Sequence, residues 1–158
     1  MTPADAEKQS SHNAPAPDAK APAVMQVLPR LETGGVERGT VDITTALTAA
    51  GRRAIVVSAG GSMVREIERA GGQHFTLPVD SKNPMTMRKN IAALTEFIRA
   101  KNIGVVHARS RAPAWSARAA AERANIPFMT TFHGTYNFNN RVKKAYNAVM
   151  AKGERVIA

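Results

Sequence analysis

The amino-acid sequence predicts an α/β fold with a doubly wound, mainly parallel sheet. Three observations lead there. Short apolar runs rich in β-branched residues alternate with longer stretches of helical periodicity along most of the chain. Runs such as Ala54-Ile55-Val56-Val57 are apolar at every position, as strands covered on both faces must be. The segments between them are rich in Gly and polar residues, which suits the turns of strand–helix–strand units.

Residues 1–22 are rich in Ala, Pro, Ser and Asp without periodicity, and read as a disordered N-terminal tail. Order is expected from Ala23, where Val24–Leu28 forms the first strand. Gly34–Ala50 places Val36, Thr40, Ile43 and Leu47 at helical spacing, and Gly51 suits the stop. Ala54–Val57 is the second strand, Ser62–Ala70 a short helix, and His74–Val79 the third strand. Residues 85–101 form a longer helix with Met87, Ile91, Leu94 and Ile98 on one stripe. Ile103–His107 is a strand, and Pro113–Ala124 an Ala-rich helix with Pro in its first turn. Pro127–Phe132 is the next strand and Asn139–Lys152 the last helix. A further strand starts at Arg155. Because the chain stops at Ala158 just as that strand begins, residues 23–158 are expected to be a fragment, or half of a larger architecture.

The 158 residues, 44% of them hydrophobic, suffice for one core. The absence of cysteine excludes a disulfide scaffold, a thiolate metal site and a Cys nucleophile. No apolar run approaches the ~18 residues of a membrane span. The N-terminal residues lack the apolar core of a secretory signal, so the cytoplasm is the expected location.

The formal net charge of +10 is unevenly placed. Residues 23–81 balance six Arg against six acids. Residues 82–158 set 14 Lys and Arg against only Glu96, Glu122 and Glu154. This asymmetry fits an anionic partner: a nucleic acid, an acidic membrane surface or a phosphorylated substrate. It also fits a merely solubilising surface. With 5% aromatic residues there is little stacking platform for a nucleic acid, so an anion- or nucleic-acid-binding module using the basic second half stands as the alternative reading and not the leading one.

In open parallel sheets ligands bind beyond the carboxyl ends of the strands, and the polar residues of this sequence collect there. Gly34-Gly35 lies between a strand and a helix start. It reads either as a diphosphate-binding turn, with backbone N–H groups and the helix dipole facing an anion, or as a tight connection of the kind every such fold needs. It fits neither a P-loop, whose Lys is missing, nor a dinucleotide-binding G-x-G-x-x-G. Gly60-Gly61 is read as a turn. His133, at a strand end before Gly134, and His107, ending the preceding strand, could each reach into a cleft or fasten a loop. Arg109 and Arg111 suit phosphate or carboxylate recognition, or else a surface pair, or stacking on Trp115. Lys82 follows the third strand. No His, Asp or Glu group has metal-ligand spacing. The helices at 85–101 and 139–152 are basic and amphipathic, a pattern shared by helices on anionic lipid and by helices packed on a sheet.

Taken together, five stretches resemble the N-terminal domain of family 4 glycosyltransferases, which have the two-domain GT-B fold built from Rossmann-like halves. They are Val27-Leu28-Pro29 with Gly34–Thr40, Val56–Gly61, Leu77–Val79 with Ser81–Pro84, Val106–Trp115, and Thr130–Gly134. The resemblance covers about residues 23–158. It implies that Gly34 and Gly35 lie against the donor diphosphate, that His133 faces the transferred sugar as the catalytic residue, and that Arg109, Arg111, Lys82 and His107 line the acceptor side. It further implies a nucleotide-sugar donor and a lipid or saccharide acceptor, often of the cell envelope. Transfer would proceed with retention, and neither cofactor nor metal is implied. The nucleotide-gripping second domain of the family has no counterpart in these 158 residues, so the chain alone is expected to be inactive.

Overall fold

The computed structural model describes residues 18–133 and 141–157. Six strands alternate with helices: β1 (Ala23–Val27), α1 (Gly35–Ala49), β2 (Ala54–Ser58), α2 (Val64–Arg69), β3 (Gln73–Thr76) and α3 (Pro84–Ala100). They are followed by β4 (Ile103–Ala108), α4 (Arg111–Ala124), β5 (Phe128–Thr131), α5 (Arg141–Asn147) with a 3-10 turn at Ala148–Ala151, and β6 (Arg155–Ile157). All neighbouring strands pair in parallel, in the order β3-β2-β1-β4-β5-β6. Chain progress reverses direction between β1 and β4, which places the topological switch point beside β1.

The pleat divides the core in two. Met25, Val27, Ile55, Val57, Val106, Ala108 and Phe128 face α3, α4 and the 3-10 turn, where Leu94, Ile98, Ala117, Ala121, Val149 and Met150 meet them. The alternate residue Val56 faces α1 and α2, packing with Leu28, Leu31, Val41, Met63 and Ile67. Ala114, Ala117, Ala120 and Ala121 are fully buried, so α4 can approach the sheet and α3 closely.

Local chemistry sets several boundaries. The Asn83 side chain accepts from Met85 N at 2.9 Å and Thr86 N at 3.4 Å, capping α3 ahead of Pro84. Helix α4 starts at Arg111, two residues before the expected Pro113, because a proline in the first turn forfeits no intrahelical hydrogen bond. It stops at Asn125, whose φ of 55° is left-handed. The third strand ends at Thr76 rather than Val79, where Pro78 offers no ladder N–H. The last helix gives way to a 3-10 turn at Ala148, and the buried Thr130 Oγ1 donates to Met150 O at 2.6 Å.

Residues 18–22, assigned to the tail from composition, form a turn docked on the sheet. Lys20 N donates to Asp18 Oδ1, Asn102 Nδ2 to Lys20 O, and Arg53 Nη1 to Ala21 O. Residues 1–17 of that tail lie outside the described residues, as do Gly134, Asn139 at the expected start of the last helix, and Ala158. Among the described residues, no helix is long and apolar enough to cross a membrane.

Candidate functional site

The carboxyl ends of β1, β4 and β5 bring together Gly34, Gly35, Glu37, Arg109, His107 and His133. The site begins below the surface, with Gln26 in the middle of β1. Its register partner on β4 is His107, so both side chains leave the sheet on the α1 side. Gln26 is fully buried and its amide is used at both ends. Nε2 donates to Thr40 O and Thr44 Oγ1, each at 3.2 Å, and Oε1 accepts from Arg109 Nη1 at 3.1 Å.

Arg109 is therefore neither a surface residue nor a partner of Trp115. It is 4% exposed. Its Nη2 lies against Gly39 in the second turn of α1, where a Cβ would stand 2.8 Å from it. Among the described residues its Nε is buried without a hydrogen-bond partner, and no carboxylate lies within ion-pairing distance. Burial pulls its pKa below the ordinary guanidinium value, while the more distant charges of Asp42 and Glu37 act against that. The result is a fixed cation beneath the start of α1, held by one amide oxygen.

His107 is also buried, and its Nε2 lies 2.7 Å from Thr131 Oγ1 on β5. Burial, then the positive charge of Arg109, then that of His133, push its pKa down to about 4. It is a neutral imidazole at pH 7. His133 stands exposed at the end of β5. Its pKa is lowered by partial burial and by Arg109, with Glu37 pulling the other way. It too favours the neutral form, in which one ring nitrogen can accept a proton.

At the mouth, Gly34 is the N-cap of α1 in extended backbone. A Cβ there would run into the Glu37 carboxylate, which folds back over the first turn. Among the described residues, a Cβ on Gly35 would meet nothing within 4 Å, so they leave open space over the helix start. The neighbouring turn behaves otherwise. Gly61 has φ +146°, and a Cβ there would strike the Leu31 carbonyl, so this Gly pair serves the backbone, in keeping with its reading as a turn.

Two of the sequence-derived residues lie apart from this group. Arg111, in the first turn of α4, donates from Nη1 to Asn147 Oδ1 at 2.8 Å, close to the stacked pair Trp115 and Tyr146. Lys82 is exposed before α3. Sequence reasoning missed Gln26 and Glu37. The signal for Gln26 is an amide inside the otherwise apolar Ala23–Val27. For Glu37 it is an acid three residues past the helix cap. A concavity of about 340 Å³ lined by Arg118, Glu122, Asn125 and Lys152 opens at the amino-terminal ends of β5 and β6, away from these groups.

Doubly wound parallel sheets bind ligands at their carboxyl rim, and in this one a glycine-rich helix start, a buried cation and two imidazoles gather there. Residues 33–158 match the sequence model of Glycosyltransferase Family 4, and the chain belongs to that family. It is similar to a glycosyltransferase from Rickettsia africae, with 42% identity and a TM-score of 0.74 over 87% of this chain and 36% of that one. Two further structures share the fold alone. One is a putative UDP-N-acetylglucosamine 2-epimerase from Listeria monocytogenes, at 14% identity and a TM-score of 0.55, covering 84% of this chain and 38% of that chain. The other is the calicheamicin glycosyltransferase CalG4, at 16% identity and 0.52, covering 80% and 36%. The chain thus spans little more than a third of the length of each. Comparison with curated proteins gives no match.

Proposed function

We propose that this chain is the acceptor-side domain of a glycosyltransferase that moves a sugar from a nucleotide donor, with retention, to a lipid-type or cell-envelope acceptor at the cytoplasmic face. The observation that carries the reading is the convergence of Gly34-Gly35, Arg109 and His133 at one rim in a member of this family. In this reading the open helix start at Gly35 receives the donor diphosphate, helped by the helix dipole and by the buried charge of Arg109. His133, neutral and exposed, faces the sugar. His107 fixes the end of β4 by its bond to Thr131, and Arg111 and Lys82 lie toward the acceptor. Most of the donor affinity is assigned to the second, nucleotide-holding domain that the family resemblance implies.

Titration calorimetry of the 158-residue chain with a nucleoside diphosphate and a nucleotide sugar tests this division. Millimolar or weaker binding is expected, and amide chemical-shift changes should centre on Gly34–Arg38 and Arg109. Low-micromolar affinity, or shifts confined to the amino-terminal ends of the strands, would overturn it.

A further inference from the structure

Helix α1 begins unlike its neighbours. The start of α3 is capped by the Asn83 side chain, and Glu66 in the first turn of α2 is bonded by Arg38 at 2.9 Å. The N-cap of α1 is Gly34, which has no side chain to offer. The acid of its first turn, Glu37, is in no ion pair among the described residues. Arg38, next in the chain, turns its guanidinium to Asp42 and Glu66 instead. Arg109 is committed to Gln26.

The Glu37 carboxylate nevertheless has a defined place. It is half-buried and folds back over Gly34, so that a Cβ on Gly34 would overlap Oε2 and stand 3.2 Å from Cδ. The N-terminal dipole of a 15-residue helix favours an anion there. So does the Arg109 guanidinium below, 4% exposed and with Nε unpartnered among the described residues. The charge of Glu37 is felt at both Arg109 and His133. In the empty domain Glu37 thus supplies the negative charge that the helix start attracts. A diphosphate at Gly34-Gly35 comes up against that carboxylate, and the repulsion grows with the charge the diphosphate carries.

That charge differs between two ligands of a glycosyltransferase. The diphosphate of a sugar nucleotide is esterified at both ends and carries about two negative charges. A free nucleoside diphosphate has a terminal phosphate whose second ionisation falls near pH ~6, so it carries about three at neutral pH. The dipole and the buried cation alone would favour the more highly charged of the two. We propose that Glu37 is a specificity-determining residue, which offsets that preference and biases the rim toward the sugar nucleotide over the free nucleoside diphosphate. The inference rests on the reading of Gly34-Gly35 as the diphosphate turn, and one titration separates the two.

The 158-residue chain is titrated with UDP and with UDP-glucose at low salt, and the amide shifts of Gly34–Arg38 are followed. Nucleobase recognition is assigned to the second domain, so the choice of base is immaterial. One extra charge about 4 Å away is worth roughly 5-fold in water. Glu37→Gln should therefore raise the ratio of UDP to UDP-glucose affinity roughly 5-fold, through tighter UDP binding, and added salt should shrink the gain. Glu37→Asp keeps the charge and should keep the ratio near the wild-type value. Glu68→Gln removes the same charge from an exposed position on α2 and should change the ratio less than about 2-fold. Because each ratio is taken within one protein, a loss of folded fraction cancels. An unchanged ratio in Glu37→Gln, with shifts still at Gly34–Arg38, would overturn the role of Glu37 alone. A ratio raised by weaker UDP-glucose binding would overturn it too, and would assign the carboxylate to a sugar hydroxyl. Absence of shifts at Gly34–Arg38 with both ligands at their highest soluble concentrations would overturn the diphosphate reading, and the inference with it.

Discussion

His107 makes the stability of this domain depend on pH in a way that a single substitution should remove. The imidazole is 3% exposed, bonded to Thr131, and has a pKa of about 4 against an ordinary 6.5. Above pH 6.5 neither the folded nor the unfolded chain holds this proton, and stability is at its full value. Between 6.5 and about 4 the unfolded chain takes up a proton that the folded chain refuses, so stability falls as the pH is lowered. At about 1.36 kcal/mol per pH unit the whole interval amounts to roughly 3 kcal/mol, about 2 kcal/mol of which is lost by pH 5. For a domain of this size that is a drop in Tm of roughly 4–8 °C. His107→Gln keeps a hydrogen-bonding side chain but cannot titrate. Urea denaturation of both proteins at about pH 8 and about pH 5 should show the wild type losing some 2 kcal/mol more than the variant. Parallel losses would refute the reasoning, because His74, His133 and the carboxylates are common to both proteins.

Other outcomes follow from the same geometry. Gly35→Ala should leave stability unchanged or raise it by up to about 1 kcal/mol, since the added methyl meets open space, whereas Gly61→Ala should cost at least about 1–3 kcal/mol. Thermal melts of the two variants check this contrast. Asn83→Ala should cost about 1 kcal/mol in chemical denaturation by uncapping α3, and Asn83→Asp should restore it. Arg109→Met should shift stability by no more than about 1 kcal/mol either way, as relief of an unpaired buried cation opposes the loss of the Gln26 bond. A loss above about 3 kcal/mol in the same assay would mean that the cation is better compensated than its neighbours indicate.

Much of this architecture could be read before any coordinates, because a strand covered on both faces leaves an unmistakable apolar run. Ile55-Val56-Val57 and Val105-Val106 are such runs, and Ala117, Ala120 and Ala121 mark a helix pressed close against its neighbours. The turns at Gly34-Gly35 and Gly60-Gly61 and the place of His133 beyond β5 are legible, since strand–helix periodicity fixes where turns fall, whereas β4 runs one residue past His107. What stayed hidden was depth. Arg109 and Arg111 are two residues apart and look equivalent, yet one continues the line of β4 under α1 while the other starts α4. Their environments differ because Gly39 leaves room for a guanidinium and Gln26 supplies an acceptor, from segments some 70 and 83 residues away. No local pattern encodes that meeting. The ordering of residues 18–22 was missed for a similar reason: their partners Arg53 and Asn102 are remote in sequence.

The strand order has a consequence for synthesis on the ribosome. Strand β1 is made first but ends up in the middle of the sheet, with β2 on one side and β4, roughly 80 residues later, on the other. At about 5–20 residues per second, the nascent chain carries the β4-facing edge of β1 open for some 4–16 s. During that interval the buried amide of Gln26 has no Arg109 to meet it, and the α3/α4 side of Met25 and Val27 has no cover. The polar network that later shapes the rim therefore forms only once β4 and Arg109 have been made, and until then the half-made sheet exposes an edge of the kind that holding chaperones cover.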